Sequence, residues 1–183
     1  MAIDMSTVTT ITLDNQDVTK IEDSLGNVLW QKGSTPTTDV IDKFPDATNE
    51  ILQQTGGSIS DYTIILNPKW TDNEVTRSYP VTIDGETYPI RIKLYGQASY
   101  PPNQSLLQIN VASNSTVYLI CSSTSSTART IFIDEVSTSY LTPVYGSTDK
   151  LALPMTSGVH TIGFSGNTHI WGIIGDLNTQ NSQ

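Results

Sequence analysis

The residues best suited to chemistry are two histidines, His160 and His169, and a single cysteine, Cys121. A hydrolase triad needs an activated nucleophile, a histidine base and an orienting acid. Both histidines lie in β-rich apolar stretches, and the alternation of a strand places His160 on the same face as Ile162 and Phe164. Cys121 ends the apolar run TVYLIC, which is typical of a small buried hydrophobe rather than a reactive thiol. The pattern therefore favours structural roles over catalysis.

Metal binding is the alternative role for the histidines. Two histidines on neighbouring strands supply two ligands, whereas a zinc site needs three or four donors and no motif places another one. A calcium loop is a second alternative, because four acidic residues lie close together in the sequence. They lack the Asp-x-Asp-x-Asp-Gly spacing, so we expect a solvated acidic face and predict no metal and no cofactor. These residues are Asp39, Asp42, Asp46 and Glu50.

Motifs for other reactions are missing from the sequence. It contains no glycine-rich phosphate loop, no GxSxG and no HExxH. Asp134 and Glu135 are adjacent on a predicted strand over 129–135 and would face opposite ways, so they do not form a glycosidase pair. We predict a non-enzymatic protein, while a small glycan-active enzyme with carboxylates brought together in space remains the alternative.

The net charge of the chain excludes some classes of binding partner. It carries 9 Lys and Arg against 18 Asp and Glu, for a net charge of −9 over 183 residues. Phosphate binding requires clustered cations, so we expect neither nucleic acid nor an anionic membrane as a partner. The N-terminal MAIDMSTVTT has no basic and apolar signal regions. We therefore expect synthesis in a cytoplasm without a signal peptide.

The stretch 158–175, GVHTIGFSGNTHIWGIIG, predicts the centre of the fold. Residues 159–164 and 168–174 indicate two strands of one hairpin, joined by a turn over 165–167 whose Gly and Asn tolerate positive φ. Apolar residues, including Val159, occur at both parities. A strand that is apolar on both sides is covered on both sides, so we place this hairpin centrally in a sheet of a sandwich.

The strongest hairpin signal is Asp84-Gly85. Its predicted arms are 77–83 and 86–94, and on the second arm Arg91 and Lys93 point away from an apolar face. That face contains Tyr88, Ile90, Ile92 and Leu94. Residues 140–145 are expected to be irregular, and Pro45 with Gly56-Gly57 brackets a short helix over 46–54.

The whole pattern predicts an all-β fold. About nine short strands separated by turns every ~8–12 residues indicate an antiparallel β-sandwich of the jelly-roll, lectin-like type. We divide the chain into a short N-terminal β-hairpin module (1–33), a linker with the short helix (34–57), the sandwich (58–177) and a polar tail (178–183).

The N-terminal module has too few apolar residues for a core of its own. We expect them to pack on the body of the chain or to dock on another molecule. These anchor candidates are Ile11, Leu13, Val18, Ile21, Val28 and Trp30.

The segment ITLDNQDVTKIEDSLGNVLWQKG resembles the N-terminal segment of bacteriophage structural proteins, namely the capsid decoration, head-fibre and tail components found in crAss-like phages of Bacteroidota. The resemblance implies a non-enzymatic protein of the virion surface, synthesised in the host cytoplasm. Its partners would be major capsid or fibre proteins, and it would be a homo-oligomer or a lattice-associated multimer.

Further along, the strands LLQINV, TVYLIC, RTIFIDEV and GVHTIGFSGNTHIWGIIG follow one another as in the β-sandwich appended to secreted polysaccharide-degrading enzymes of Bacteroidota, which they resemble. His169 and Trp171 stand where that family has smaller residues or tyrosine. The resemblance implies a carbohydrate-binding-like sandwich. Loop aromatics are then candidates for contacts with glycans or with another subunit: Trp70, Tyr95, Tyr100, Tyr140 and Tyr145.

Our leading hypothesis from the sequence is a capsid-surface protein that docks through residues 1–33 and displays the sandwich. The alternative is a carbohydrate-binding module, or a tail receptor-binding component, that recognises host-surface or mucosal glycans.

Overall fold

The computed structural model describes residues 11–13, 16–18, 20–22, 28–31, 39–54, 56–65, 73–97 and 105–179, of which the first four ranges and residues 63–65 are described as strand backbone. The chain divides into two compact units, Met1–Thr38 and Asp39–Gln183.

The described residues of the first unit form four short strands in two antiparallel pairs. Strand β1 (Ile11–Leu13) pairs with β2 (Gln16–Val18), and β3 (Lys20–Glu22) pairs with β4 (Val28–Gln31). The six apolar anchor candidates lie on these strands, but their side chains are outside the described residues. Docking through them stays a prediction.

The second unit is a sandwich of two antiparallel sheets, which confirms the predicted fold class. Its described strands are β5 Val40–Asp42, β6 Gly57–Ser58, β7 Thr63–Ile65, β8 Glu74–Thr76, β9 Val81–Ile83, β10 Glu86–Tyr88, β11 Arg91–Leu94, β12 Leu107–Val111, β13 Ser115–Ser123, β14 Thr130–Ile133, β15 Val136–Leu141, β16 Asp149–Met155, β17 Gly158–Phe164 and β18 Thr168–Gly175. Sheet one has the strand order β16-β13-β18-β11-β8, with β5 also paired to β18, and sheet two has the order β15-β14-β17-β12-β7-β6. A short helix, α1 (Asn49–Leu52), begins after the capping residue Thr48 and is shorter than predicted.

The main core lies between the two sheets and follows from strand alternation. On β13, Val117, Leu119 and Cys121 belong to this core, whereas Ile120 between them belongs to a second cluster. The other sheet contributes alternate residues in the same way. From β12 and β17 these are Leu107, Ile109, Val111, Ile162 and Phe164.

Strands β17 and β18 lie in different sheets, so the prediction that they form one hairpin is wrong. β17 pairs with β12 and β14, while β18 pairs with β13, β11 and β5. The turn between them carries the chain from one sheet to the other and passes very close to Gly96, where an added Cβ would lie 2.3 Å from the carbonyl oxygen of Gly166. Both strands are central in their sheets, as the two-sided apolar pattern indicated. Val159 is an exception, because it is exposed rather than covered.

The Asp84-Gly85 turn is confirmed, with φ of +52° and +81° at its two residues, as a type I′ hairpin turn requires. Its arms β9 and β10 form a two-stranded sheet of their own. The second arm ends at Tyr88 because Pro89 has no N–H to donate to the ladder. The chain then enters sheet one as β11, so Tyr88 does not share a face with Ile92, contrary to the prediction.

The β9–β10 hairpin packs on the outer face of sheet one and forms the second apolar cluster. Tyr88, Ile120 and Trp171 are its buried members. Half-buried Val81, Ile83 and Ile174 pack against them. Gly172 permits this packing, since an added Cβ there would lie 2.8 Å from the Tyr88 ring. One part of the outer face is thus covered by the same chain.

Two further expectations are corrected by the second sheet. Asp134 and Glu135, with φ of +49° and +70°, are the turn residues between β14 and β15 rather than strand residues. Tyr140 lies on strand β15, not in an irregular segment. Among the residues that the structure describes, no helix is long and apolar enough to cross a membrane.

Candidate functional site

A cleft of about 360 Å³ opens on the outer face of sheet one, beside the second apolar cluster. Its walls come from sheet strands, from the segment before β9 and from the loop between β15 and β16. The lining residues are Ser78, Tyr79, Pro80, Val81, Arg91, Ser122, Tyr145, Gly146, Thr148, His169 and Trp171.

Strand alternation turns the sheet residues of the cleft outward. Ile92 and Ile170 are buried between the sheets, so Arg91 and His169, next to them in sequence, face the other way. In the register of β18 with its neighbours, His169 lies opposite Lys93 on β11 and Ser122 on β13. Lys93 does not line the cleft, so the polar and basic residues of its floor are Arg91 on β11, Ser122 on β13 and His169 on β18.

Trp171 owes its position to a β-bulge. The pairing partners of Ile120 and Cys121 are Gly172 and Ile170, so Trp171 is the extra residue on β18. A bulge of this kind redirects side chains and increases the local twist. Trp171 is 4% exposed, and its Nε1 donates a hydrogen bond to the backbone carbonyl of Tyr79, 2.7 Å away. It is thus part of the floor and also holds one wall in place.

Two tyrosines stand on opposite loops and are the exposed aromatic surfaces of the cleft. Tyr79 is 55% exposed and Tyr145 is 62% exposed. The loop that carries Tyr145 is fixed by backbone hydrogen bonds, from Tyr145 N–H to the Ser125 carbonyl (2.9 Å) and from Ser147 N–H to the Val144 carbonyl (3.0 Å). Exposed rings on anchored loops offer contact area at little entropic cost.

His169 lies between these aromatics at the base of the cleft. Its ring makes an edge contact with Trp171 at 5.8 Å between centroids and lies 6.5 Å from the Tyr145 ring. It is 6% exposed, and its Nδ1 is buried with no hydrogen-bond partner among the described residues. Burial, with the nearby charges of Arg91 and Lys93, lowers the pKa of His169 to about 4. The ring is therefore neutral at pH 7.

Arg91 provides the positive charge of the cleft. Its guanidinium carbon lies 4.0 Å from the centroid of the Tyr79 ring, which is cation–π geometry. Its Nε is buried and donates no hydrogen bond within the described part of the chain. The contact orients Arg91, and Tyr79 stays 55% exposed.

The second histidine has a different environment. His160 lies on β17 in sheet two, with its Nδ1 2.6 Å from Asp134 Oδ2 and its Nε2 3.0 Å from the Thr156 carbonyl. Asp134 also accepts a hydrogen bond from Thr161 N–H. The structural role predicted for His160 fits these contacts, and the idea of two histidines on adjacent strands is wrong. Across the residues with described side chains, no group of three His, Cys, Asp or Glu could hold a metal ion.

Two other buried titratable groups lie away from the cleft. Burial raises the pKa of Cys121 to about 12, so this core residue stays a thiol. Asp42 is buried rather than part of a solvated acidic face, which corrects the prediction. It accepts hydrogen bonds from Phe44 N–H at 2.9 Å and from the Ser60 hydroxyl, and burial raises its pKa.

Of the five aromatics predicted to contact glycans or another subunit, Tyr145 lies in the cleft. Tyr140 is half-buried and packs against the main core. Tyr95 is also half-buried, and its hydroxyl accepts a hydrogen bond from Gln97 Nε2 at 2.8 Å. Trp70 and Tyr100 are outside the described residues.

Sequence reasoning missed the cleft itself. Tyr79 was assigned to the interior of a strand, although the following Pro80 is a loop signal that could have corrected this. Strand alternation correctly predicted that Arg91 points away from the apolar face. The residues that form the cleft with Arg91 come from elements distant in sequence, so the sequence did not predict the cleft.

Comparison with known proteins found distant structural similarity to solved structures. The chain is similar to a solved structure from work on the Ruminococcus flavefaciens cellulosome and an expansion in glycan recognition. The two share 14% identity with a TM-score of 0.45, over 74% of this chain and 91% of that one. It is also similar to an exo-β-1,3-galactanase from Phanerochaete chrysosporium solved with β-1,3-galactotriose, at 18% identity and a TM-score of 0.34.

That second likeness covers 64% of this chain and 29% of the galactanase chain. No protein-family model and no curated protein matches the sequence. The functional argument therefore rests on the cleft.

Proposed function

We propose that the sandwich is a non-catalytic glycan-binding module and that the cleft on the outer face of sheet one is its binding site. The observation that carries the proposal is the pair of exposed tyrosines, Tyr79 and Tyr145, on opposite sides of a floor of neutral His169 and buried Trp171. Sugar rings present apolar C–H faces and a rim of hydroxyl groups. A binding site for them combines aromatic surfaces with a few oriented polar groups.

The polar groups of the cleft fit this class of ligand. Ser78, Ser122 and Thr148 line it together with His169 and Arg91, and hydroxyl groups both donate and accept hydrogen bonds. The cleft is open rather than enclosed and lies on a sheet face, which suits a segment of an extended polysaccharide.

Calorimetric titration after a glycan-array screen tests the proposal. We expect binding to a glycan that weakens by about two- to twelvefold in Tyr145→Ala and in Tyr79→Ala, since an aromatic contact contributes about 0.5–1.5 kcal/mol and about 1.4 kcal/mol corresponds to a factor of ten. Leu141→Ala is the matched control, because Leu141 is also exposed but does not line the cleft. Binding to no glycan, or binding that both tyrosine variants retain in full, would contradict the proposal.

A second proposal concerns the first unit, and the observation in its favour is that residues 1–38 form a compact unit by themselves. Its four strands have three or four residues each, and two-stranded pairs of this size are marginal without further packing. We propose that this unit docks the protein on a larger assembly, a virion surface in the interpretation that its sequence resemblance to phage structural proteins suggests. Display in many copies would raise the avidity of a weak glycan site.

The docking proposal is tested with a variant that lacks residues 1–33. We expect it to keep glycan binding but to lose self-association in light scattering and recovery with purified particles. Normal assembly of the truncated protein would contradict docking through the first unit and leave the cleft proposal unaffected.

A further inference from the structure

The electrostatics of the cleft indicate which glycans it selects, and this inference rests on the glycan-binding function proposed above. Arg91 lines the cleft, and no carboxylate lies among the residues described around it. The ion pairs found elsewhere in the sandwich, such as Lys150 with Asp84, show that other cations of this acidic chain do find carboxylate partners. Arg91 makes no ion pair with any residue in the described ranges.

The guanidinium of Arg91 is held in place by an aromatic ring rather than by a carboxylate. Stacking on the Tyr79 ring at 4.0 Å fixes the plane of the guanidinium, and Tyr79 is itself tied to Trp171 through its backbone carbonyl. An aromatic face orients a guanidinium but leaves its N–H groups available for hydrogen bonds. A pre-oriented planar fork matches a carboxylate, which accepts two parallel N–H bonds from it.

Arg91 is the source of positive potential in the cleft. Lys93 projects from the same face of β11 but does not line the cleft, and in the register it lies opposite His169 on one side and Glu74 on the other. The whole chain has a net charge of −9, so the charge that Arg91 brings to the cleft is opposite in sign to that of the protein as a whole. Neutral sugars gain little from this charge, whereas an anionic sugar gains a charge-assisted hydrogen bond in a partly desolvated site.

We infer that the cleft selects acidic saccharides, specifically glycans containing uronic acid, with Arg91 pairing with the sugar carboxylate while Tyr79 and Tyr145 contact the ring faces. Arg91 is then the residue that determines specificity, and the tyrosines supply the affinity that acidic and neutral sugars share.

Matched pairs of ligands test this inference on the full chain. The probes are oligosaccharides of galacturonic, glucuronic and mannuronic acid, each with its carboxyl-reduced, neutral counterpart. We expect at least one acidic member to bind about tenfold or more tighter than its counterpart in calorimetry, as one charge-assisted pair supplies. Raising the salt concentration should narrow the difference, since an exposed charge interaction is screened.

Arg91→Gln should abolish the preference, so that the acidic member binds no tighter than its neutral counterpart. Arg91→Lys should retain part of it, because a point charge remains without the planar fork. Arg77→Gln is the matched control, since Arg77 is exposed, does not line the cleft and changes the net charge equally. Thermal unfolding confirms that each variant is folded.

Three outcomes would overturn the inference. If acidic and neutral members bind equally and both depend on Tyr145, the cleft is a glycan site without acidic selectivity. If Arg77→Gln abolishes the preference as fully as Arg91→Gln does, the preference is a long-range effect of net charge. If no glycan binds at all, the proposed function fails together with the inference.

Discussion

The two faces of sheet one share the same strands but differ in every property that matters for binding. On the inner face, Ile170 and Ile173 of β18 are fully buried against the second sheet. On the outer face, His169 and Trp171 of the same strand form the floor of an open cleft. The β9–β10 hairpin covers part of the outer face and leaves the rest accessible. One strand thus contributes to the core on one side and to the proposed binding site on the other.

The difference shows how a sandwich can carry a site without weakening its core. Burial between the sheets removes water from apolar groups and dominates the free energy of folding. The outer face contributes less to stability, so it tolerates a buried nitrogen of His169 and a guanidinium of Arg91 that find, respectively, no hydrogen-bond partner and no carboxylate among the residues described. Polar groups with unmet hydrogen-bonding capacity are costly for folding but useful for binding a ligand.

The largest expected effect comes from the inner face. Ile170→Ala should lower the free energy of unfolding by about 2–5 kcal/mol, because it removes buried methyl groups and leaves a cavity between the sheets. Urea denaturation followed by circular dichroism measures the change. Val159→Ala, at an exposed position of β17, should stay within about 0.5 kcal/mol of the unchanged protein. Similar losses in the two variants would contradict the assignment of the inner face as the source of stability.

The next effect belongs to the outer face and depends on pH. The pKa of His169 is lowered to about 4 in the folded protein, against about 6.5 in an unfolded chain. Between these values the unfolded state binds more protons, so His169 should make the protein less stable as pH falls from about 6.5 toward 4. Asp42 changes the stability in the opposite direction. Because burial raises its pKa, the folded state binds this proton more readily than the unfolded state does, and the contribution of Asp42 to stability increases as pH falls.

Denaturant titrations at a series of pH values separate the two groups. His169→Gln should remove the loss of stability between pH 6.5 and 4, while above pH 7 the difference between the variant and the unchanged protein should be constant. An identical pH profile in both proteins would mean that His169 titrates normally and is not buried at the base of the cleft.

The smallest expected effect on stability concerns the β9–β10 hairpin, which covers part of the outer face of sheet one. Lys150 Nζ lies 3.1 Å from Asp84 Oδ2 in the hairpin turn. Asp84→Asn removes this ion pair while keeping a residue that tolerates positive φ. Because the pair is exposed, the free energy of unfolding should change by less than about 0.5 kcal/mol. A loss above about 1 kcal/mol would show that charge, rather than the apolar cluster around Tyr88, holds the hairpin on the sheet.

The sequence was informative where the signal is local. The Asp84-Gly85 turn was located correctly because two consecutive residues with positive φ strongly favour that pair. Alternation predicted that Arg91 and Lys93 face away from Ile92 and Leu94. The two-sided apolar pattern over 158–175 identified central strands. Each of these inferences uses neighbours within a few residues of one another.

The errors arose where the pairing partner is distant in sequence. The sequence of a turn such as Ser165-Gly166-Asn167 does not distinguish strands that pair with each other from strands that enter different sheets. The bulge at Trp171 is set by β13, about fifty residues earlier in the chain. Neither feature leaves a local mark, so the cleft built from Tyr79, Arg91, Tyr145 and His169 was not predicted.

By itself the sequence determined the all-β class, the acidic surface and the alternation that gives each strand its two faces, because hydrophobic periodicity and turn chemistry act over short distances. The tertiary structure alone decided which outer face remains open. It did so by passing β17 and β18 to opposite sheets and by laying the β9–β10 hairpin over one part of sheet one. Contacts between residues far apart in the chain fix both choices, and the site exists because of them.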